Sequence, residues 1–531
     1  MSNLLPKKVK KEFRQKYEQR AKKLSRNFKD RPIVLIGILL LIQILVVMAI
    51  FIWFKDKLLN FSAPFMALLT IFMTVHIVDK DMNPAYKISW LIPIAVFPIF
   101  GSLLYLFLHT IPGNKITIEN LKLNIKRTRP YLKQNEKVLK EMEEEKESFK
   151  DLAQYLYNLG PYPVYDNSPV EYYSEGRYAF DEMFAELRKA KDFIYSEYFI
   201  LKSGEILDQY ISILKEKARE GVEVRFMFDA ITMFNLPKDF EEDLTEAGID
   251  VKVFSPVAPI LSTYQNNRDH RKVLVIDNKV AFTGGINFAD EYANLVNYYG
   301  NWKDNAIKIK GPAVKTMTAI FLQMWNIFKD GNKDYEKRLQ EDQFEEIYSK
   351  DYIIPYSDAP GDGESLAKNV YLHMAYSAKK YIHIMSPYLI LDNEMIVALT
   401  FAAKRGVDVR IIIPHIPDKK IPFAVAKSHF KDLLPEGVRI YEYRPGFIHS
   451  KVMMVDGKVA TVGTVNMDFR SFHLNYENGI FICGEESVFD IGEDFRNTLL
   501  ISKEVSMEDY EALPIYYRLF GAFMKIFGPL M

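Results

Sequence analysis

A histidine and a lysine two residues apart, with an aspartate five residues beyond, occur twice in this sequence: His270, Lys272 and Asp277, then His449, Lys451 and Asp456. An imidazole can attack an electrophile or carry a proton, and a neighbouring ammonium can neutralise an anion. Side chains two apart on a strand point the same way, so each His shares a face with its Lys. The stretches Val273–Ile276 and Val452–Val455 that follow are wholly apolar, as buried strands require. Two imidazoles and two ammonium groups around one cleft suit phosphodiester transfer. One imidazole would take the phosphorus as a phosphohistidine, while the other protonates the departing alkoxide and then deprotonates the incoming hydroxyl. The lysines would neutralise the non-bridging oxygens, a role metals fill elsewhere, so neither a metal nor an organic cofactor is expected.

Asp277-Asn278 and Asp456-Gly457 read as hairpin turns, followed by return strands at 280–283 and 459–462. Each return strand ends in small residues and an asparagine: Gly284-Gly285-Ile286-Asn287 and Gly463-Thr464-Val465-Asn466. Backbone N–H groups there, with the Asn287 and Asn466 amides, are candidates for holding anionic oxygens. Asp277 and Asp456 join the candidate catalytic set, although their place at a turn, an odd number of residues from the histidine, equally suits a local structural role.

The elements that position these groups come as a repeat. Ala190-Lys191-Asp192-Phe193-Ile194 recurs as Ala378-Lys379-Lys380-Tyr381-Ile382, and Gly221-Val222-Glu223-Val224-Arg225 as Gly406-Val407-Asp408-Val409-Arg410. Gly248-Ile249-Asp250-Val251 recurs as Gly437-Val438-Arg439-Ile440. Matches in one order at nearly one spacing mark two copies of a domain. Within a copy, helical stretches (180–189, 206–220) alternate with apolar runs (193–201, 222–228), which predicts α/β sandwich domains related by a pseudo-twofold axis. We expect a first domain over 161–330, a linker over 331–350 and a second domain over 351–531. Residues 112–160 read as a linker whose charged stretch forms a solvated helix. His109, His373, His383, His415 and His473 read as structural.

The 69 basic and 69 acidic side chains balance, which argues against a surface built to bind nucleic acid. Cys483 is the only cysteine, which excludes an intramolecular disulfide framework and thiol chemistry. Charge is uneven locally: residues 1–31 carry 12 Lys/Arg against Glu12, Glu18 and Asp30. That basic segment (domain 1–32) leads into a membrane region, 33–111, with candidate spans at 33–54, 58–78 and 88–108. The stretch after Pro112 is basic as well. By the positive-inside rule an even number of crossings, with one candidate re-entrant or interfacial, suits both flanks. The expectation is a multi-pass protein of the cell membrane with its catalytic domains on the cytoplasmic side. A C-terminal apolar stretch, 514–527, suits an interfacial helix.

The paired motifs resemble those of the phospholipase D superfamily, and the flanking residues resemble bacterial cardiolipin synthases. The resemblance rests on Asn267-Arg268-Asp269-His270-Arg271-Lys272, Gly284-Gly285-Ile286-Asn287 and Trp302-Lys303-Asp304 in the first half. In the second half it rests on Ser386-Pro387-Tyr388, the run from Gly463 to Phe472, and Asn475-Tyr476-Glu477. It covers residues 60 to 531 and includes Trp90 and Phe97-Pro98-Ile99-Phe100-Gly101. The extra basic N-terminus with its own candidate span departs from the family. The resemblance implies transfer of a phosphatidyl group between two phosphatidylglycerols at a lipid bilayer, giving cardiolipin and glycerol. It further implies His270 as nucleophile, His449 as acid/base, and Asp304 and Glu477 as carboxylates that orient the imidazoles. Hydrolysis by water, as in a phospholipase D, is the alternative; a nuclease and a catalytically silent scaffold rank below it.

Overall fold

The computed structural model describes residues 55–109, 113–255, 266–327, 331–340 and 347–530, together with Leu45 and Met48. Its centre is two sheets of matching topology. The first lobe contains β1 (Val170–Tyr173), β2 (Phe193–Tyr198), β3 (Glu223–Asp229), β4 (Asp250–Phe254), β5 (Val273–Ile276), β6 (Val280–Gly284), β7 (Asn301–Lys303) and β8 (Ala306–Lys310). The second contains β9 (Tyr352–Asp358), β10 (Tyr381–Met385), β11 (Leu389–Ile390), β12 (Asp408–Pro414), β13 (Arg439–Tyr443), β14 (Gly446–Ile448), β15 (Val452–Val455), β16 (Val459–Gly463), β17 (Met467–Asp468), β18 (Glu477–Cys483) and β19 (Ser502–Val505). The first sheet runs β1-β8-β6-β5-β2-β3-β4 and the second β9-β18-β16-β15-β10-β12-β13, with β19 added beyond β13. The order is the same, so the repeat seen in the sequence is a repeat of fold.

Helices Gly176–Arg188 and Glu205–Arg219 bury their apolar faces in the first lobe's own core. Helix Val314–Trp325 is buried along all 12 residues and packs on β2 and β5 of one lobe and β9 of the other. It therefore belongs to a core shared by both lobes. Strand β7 pairs in parallel with β14, joining the lobes through backbone as well.

Two connecting segments are more firmly packed than their charge suggests. Helix Glu136–Leu159 is not solvated all round: Val138, Leu139, Met142, Leu152 and Leu156 recur at helical spacing and are buried in the shared core. Helix Asn332–Leu339 occupies the expected linker. Its Arg338 reaches Asp192, Glu223 and the Tyr195 hydroxyl of the first lobe.

The N-terminal region departs from the expected spans. Candidate 33–54 lies outside the described residues apart from Leu45 and Met48. Candidate 58–78 falls within helix Lys55–Asp79. Candidate 88–108 is not one helix but two, Pro84–Val96 and Pro98–His109. The break falls at Phe97 because a residue before proline is driven out of the helical region. The second piece folds back so closely that a Cβ on Gly101 would lie 2.7 Å from the Pro93 carbonyl. Among the described residues no helix is long and apolar enough to cross a membrane. The C-terminal helix Ile515–Lys525 packs through Gly521 against Ala424 and leaves Ile515, Tyr516, Leu519 and Phe523 exposed. Ser89 of the N-terminal helices donates to the Ile526 carbonyl at 2.7 Å, so both apolar elements meet.

Candidate active site

Each of the two histidines sits where one lobe's backbone touches the other's. His270 precedes β5, and its N–H donates to the Tyr476 carbonyl at 3.0 Å. His449 precedes β15, and its N–H donates to the Lys303 carbonyl at 2.6 Å. The side chains follow the same exchange. His270 Nδ1 lies 3.0 and 2.9 Å from the two oxygens of Glu477, which belongs to the second lobe. His449 Nδ1 lies 2.7 Å from Asp304 Oδ2, in the first lobe. An Nδ1–H bound to a carboxylate fixes the tautomer, leaving each Nε2 as the reactive nitrogen. The next residues repeat the pattern: Asn478 Oδ1 accepts from the Lys272 N–H at 3.3 Å, and Asn305 Oδ1 accepts from the Lys451 N–H at 3.1 Å.

Electrostatics make the cleft ready for an anion. Each ammonium donates to the carbonyl of its own histidine two residues back. Burial lowers both lysines, Lys272 to about 8 and Lys451 to about 7, against the pull of Glu477 and Asp304. Burial, with Lys272 and Lys451, also pushes His270 down to about 4 despite Glu477, so its imidazole is neutral at pH 7. His449 falls well below its ordinary range through burial and the two lysines. Two ammonium groups thus face two carboxylates and two neutral imidazoles. A bound phosphodiester would add a negative charge, which favours a proton on His449.

The two carboxylates are not equivalent. Burial works against ionising Glu477, but His270, Lys272 and the Thr464 hydroxyl outweigh it and hold it below the usual range. Burial wins at Asp304, which is pushed up to about 6 despite Lys451 and the Asn305 N–H. Thr464 occupies the position that Gly285 holds in the first copy. There a side chain has no room: a Cβ on Gly285 would lie 1.9 Å from Asp304 Oδ1.

Several expectations change on this geometry. The small-residue turns commit two of their N–H groups to the fold: Gly285 and Thr464 donate to the Asn305 and Asn478 carbonyls at 2.9 Å. Asn287 is engaged at both ends, accepting from the Ile200 N–H at 3.0 Å and donating to the Tyr292 hydroxyl at 2.8 Å. Asn466 keeps a buried Oδ1 with no hydrogen-bond partner among the described residues. Asp277 and Asp456 do not line the cleft. A four-residue strand carries each of them roughly 15 Å along from its lysine. There Asp277 accepts from the N–H groups of Lys191, Asp192 and Phe193, and Asp456 from those of Lys379, Lys380 and Tyr381. Both turns need positive φ, 53° at Asp277 and 56° at Asp456, which aspartate tolerates better than most residues. Sequence reasoning missed the aromatic walls: the Phe199 ring stands edge-on to His270 at 4.9 Å, and Tyr292 and Trp302 lie 5.4 and 5.3 Å from His449. It also missed Arg271, buried with Glu197 and Asp269 behind His270.

Comparison with known proteins identifies this arrangement. The family described as cardiolipin synthase, phospholipase D-like domain, matches residues 183–325 and 371–499, both lobes of the cleft. The chain belongs to that family. A second family, the phospholipase D-nuclease N-terminal region, matches residues 68–108. A cardiolipin synthase of Geobacillus kaustophilus is 35% identical over 90% of this chain and 95% of its own length. An uncharacterised protein of Streptococcus mutans is 44% identical over 86% of this chain and 99% of its own. Among solved structures, Haemophilus influenzae phosphatidylserine synthase aligns with a TM-score of 0.54 at 15% identity. It covers 72% of this chain and 97% of that one, which supports the two-lobed fold.

Proposed function

We propose that this protein makes cardiolipin by moving a phosphatidyl group from one phosphatidylglycerol to another. The observation that carries the reading is the crossed bracing of the histidines, Glu477 on His270 and Asp304 on His449, within a family of cardiolipin synthase domains. His270 Nε2 attacks phosphorus, and the P–O bond to the glycerol headgroup breaks as His449 Nε2 delivers its proton to the leaving oxygen. His449 then takes the proton of the second phosphatidylglycerol's terminal hydroxyl. That oxygen attacks phosphorus, the P–N bond to His270 breaks, and cardiolipin leaves. Lys272 and Lys451 hold the non-bridging oxygens throughout. His270 suits the nucleophile's role because Glu477 stays ionised beside the positive phosphoimidazole, whereas Asp304 holds its charge less firmly.

We place the lobes against a membrane. Exposed Phe65, Leu68, Phe72 and Val75 on helix Lys55–Asp79 and the outward face of the C-terminal helix support that reading, as does the family match over 68–108. With an even number of crossings the lobes are cytoplasmic. Product analysis tests the reaction: full-length protein in mixed micelles with phosphatidylglycerol alone, read by mass spectrometry beside His270→Ala. Cardiolipin with an equal amount of glycerol, absent from the variant, is the expected result. Phosphatidate with glycerol would mean that water is the acceptor and would overturn the synthase reading.

A further inference from the structure

The rims of the cleft differ although the lobes share one topology. Leu201 bridges Phe288 as Leu389 pairs with Met467, which makes Ile200 the counterpart of Tyr388. Val224 lies beside Ile194 as Val409 lies beside Ile382, so the loops after β3 and β12 correspond. Counted from these paired strands, Met233 and Phe234 of the first lobe take the sequence positions of Asp418 and Lys419 in the second. One rim is apolar, completed by Phe199 against His270. The other is a polar cluster. Tyr388 Oη donates to Asp418 Oδ2 at 2.6 Å, and Lys419 Nζ donates to that same oxygen at 3.0 Å and to Tyr388 Oη at 2.8 Å.

Asp418 Oδ2 is therefore doubly satisfied. Its Oδ1 is buried and has no hydrogen-bond partner among the described residues. A buried acceptor left unpaired is costly, so its complement is a donor that arrives with a ligand. The backbone places this loop beside the acid/base histidine: the Ile416 N–H donates at 3.4 Å to the Gly446 carbonyl of β14, the strand that leads into His449. Asp418 acts electrostatically on His449 and on Tyr292, whose ring stands 5.4 Å from that of His449.

We propose that Asp418, held by Tyr388 and Lys419, is the subsite for the glycerol headgroup, accepting a hydrogen bond from the hydroxyl next to the reacting one. This rests on the transfer reaction proposed above and names what selects its acceptor. The reacting primary hydroxyl gives its proton to His449; the vicinal hydroxyl keeps its proton and donates to Oδ1. Lys419 offsets the carboxylate charge, which suits a neutral diol better than a cationic amine. The same subsite serves the leaving glycerol in the first step and the accepting glycerol in the second.

The test is a competition within one reaction. Full-length protein receives phosphatidylglycerol together with phosphatidyl-1,3-propanediol, which keeps the terminal hydroxyl and lacks the vicinal one. Mass spectrometry counts cardiolipin against its deoxy counterpart. Both products arise from one phosphoenzyme, so general damage to the enzyme leaves their ratio unchanged. The wild type is expected to favour the glycerol acceptor by about ten- to a hundredfold, and Asp418→Asn to bring the ratio near one. In that variant the amide oxygen takes the place facing Tyr388 and Lys419 and turns its NH2 toward the ligand. Should Asp418→Asn be inactive, Tyr388→Phe, which loosens the same carboxylate, is expected to lower the ratio severalfold. A wild-type ratio near one, or a ratio that neither variant changes, overturns the subsite. Phosphatidate as the only product from the wild type would instead overturn the transfer reaction itself.

Discussion

The two histidines began as copies of one motif and now stand in different surroundings. His270 shares its carboxylate with two further donors: the Thr464 hydroxyl and the Asn475 amide, the latter at 3.2 Å. Among the described residues His449 shares Asp304 only with the Asn305 N–H at 2.8 Å, and a glycine stands where Thr464 would be. The electrostatics differ as well: His270 and Lys272, with the Thr464 hydroxyl, outweigh burial and hold Glu477 below the usual range, while burial pushes Asp304 up to about 6. A positive phosphoimidazole needs a fixed counter-charge, whereas an acid/base that gains and loses a proton does not. The Thr464 hydroxyl, present in one copy and replaced by a glycine in the other, adds to the pull of His270 and Lys272 on Glu477 and marks one difference between the two roles.

The largest effect on that asymmetry is expected from Glu477→Gln. Three donors point at this carboxylate, and an amide must turn its NH2 toward one of them. A loss in kcat/KM of about a thousandfold is expected for phosphatidyl transfer. Thr464→Val removes one donor and is expected to cost about tenfold in the same assay, with the fold retained. If Thr464→Val left the rate untouched, the hydroxyl would not be what distinguishes the lobes.

A smaller and graded effect concerns pH. Protonating His270 removes the attacking lone pair, so kcat/KM is expected to fall as pH drops toward about 4. On the alkaline side the rate falls as His449, the proton donor, loses its proton, and Lys451 adds a limb of its own as it loses its charge through about 7. Lys451→Arg keeps its charge at every working pH and is expected to carry that limb upward, whatever it costs in absolute rate. A limb that stays in place would remove Lys451 from the alkaline side of the profile.

What the sequence made legible was local and periodic. The repeat, the strand–turn–strand around each motif and the two His–Lys pairs all follow from spacing within a few tens of residues. The crossed pairing does not, because Glu477 lies 207 residues from His270 and Asp304 lies 145 from His449. Only the docking of the lobes brings them together. Asp277 and Asp456 stood open to two readings for a related reason: residue type recommended them for chemistry, while the backbone N–H groups they bond lie some 80 residues away. In helix Glu136–Leu159 a run of charge concealed an apolar stripe. In the third membrane candidate composition concealed a break, since hydropathy takes no account of the turn that a proline imposes on the residue before it.

The most direct test of unequal histidines is to trap the intermediate. His449→Ala is given a phosphatidyl ester of a phenol, a leaving group that needs no proton, and the protein is examined by intact mass and peptide mapping. The account predicts a phosphatidyl adduct that accumulates on His270, because the acid/base needed to release it is gone, and no adduct in the His270→Ala protein. An adduct on His449 in His270→Ala would contradict it, since the two imidazoles would then be interchangeable as nucleophiles.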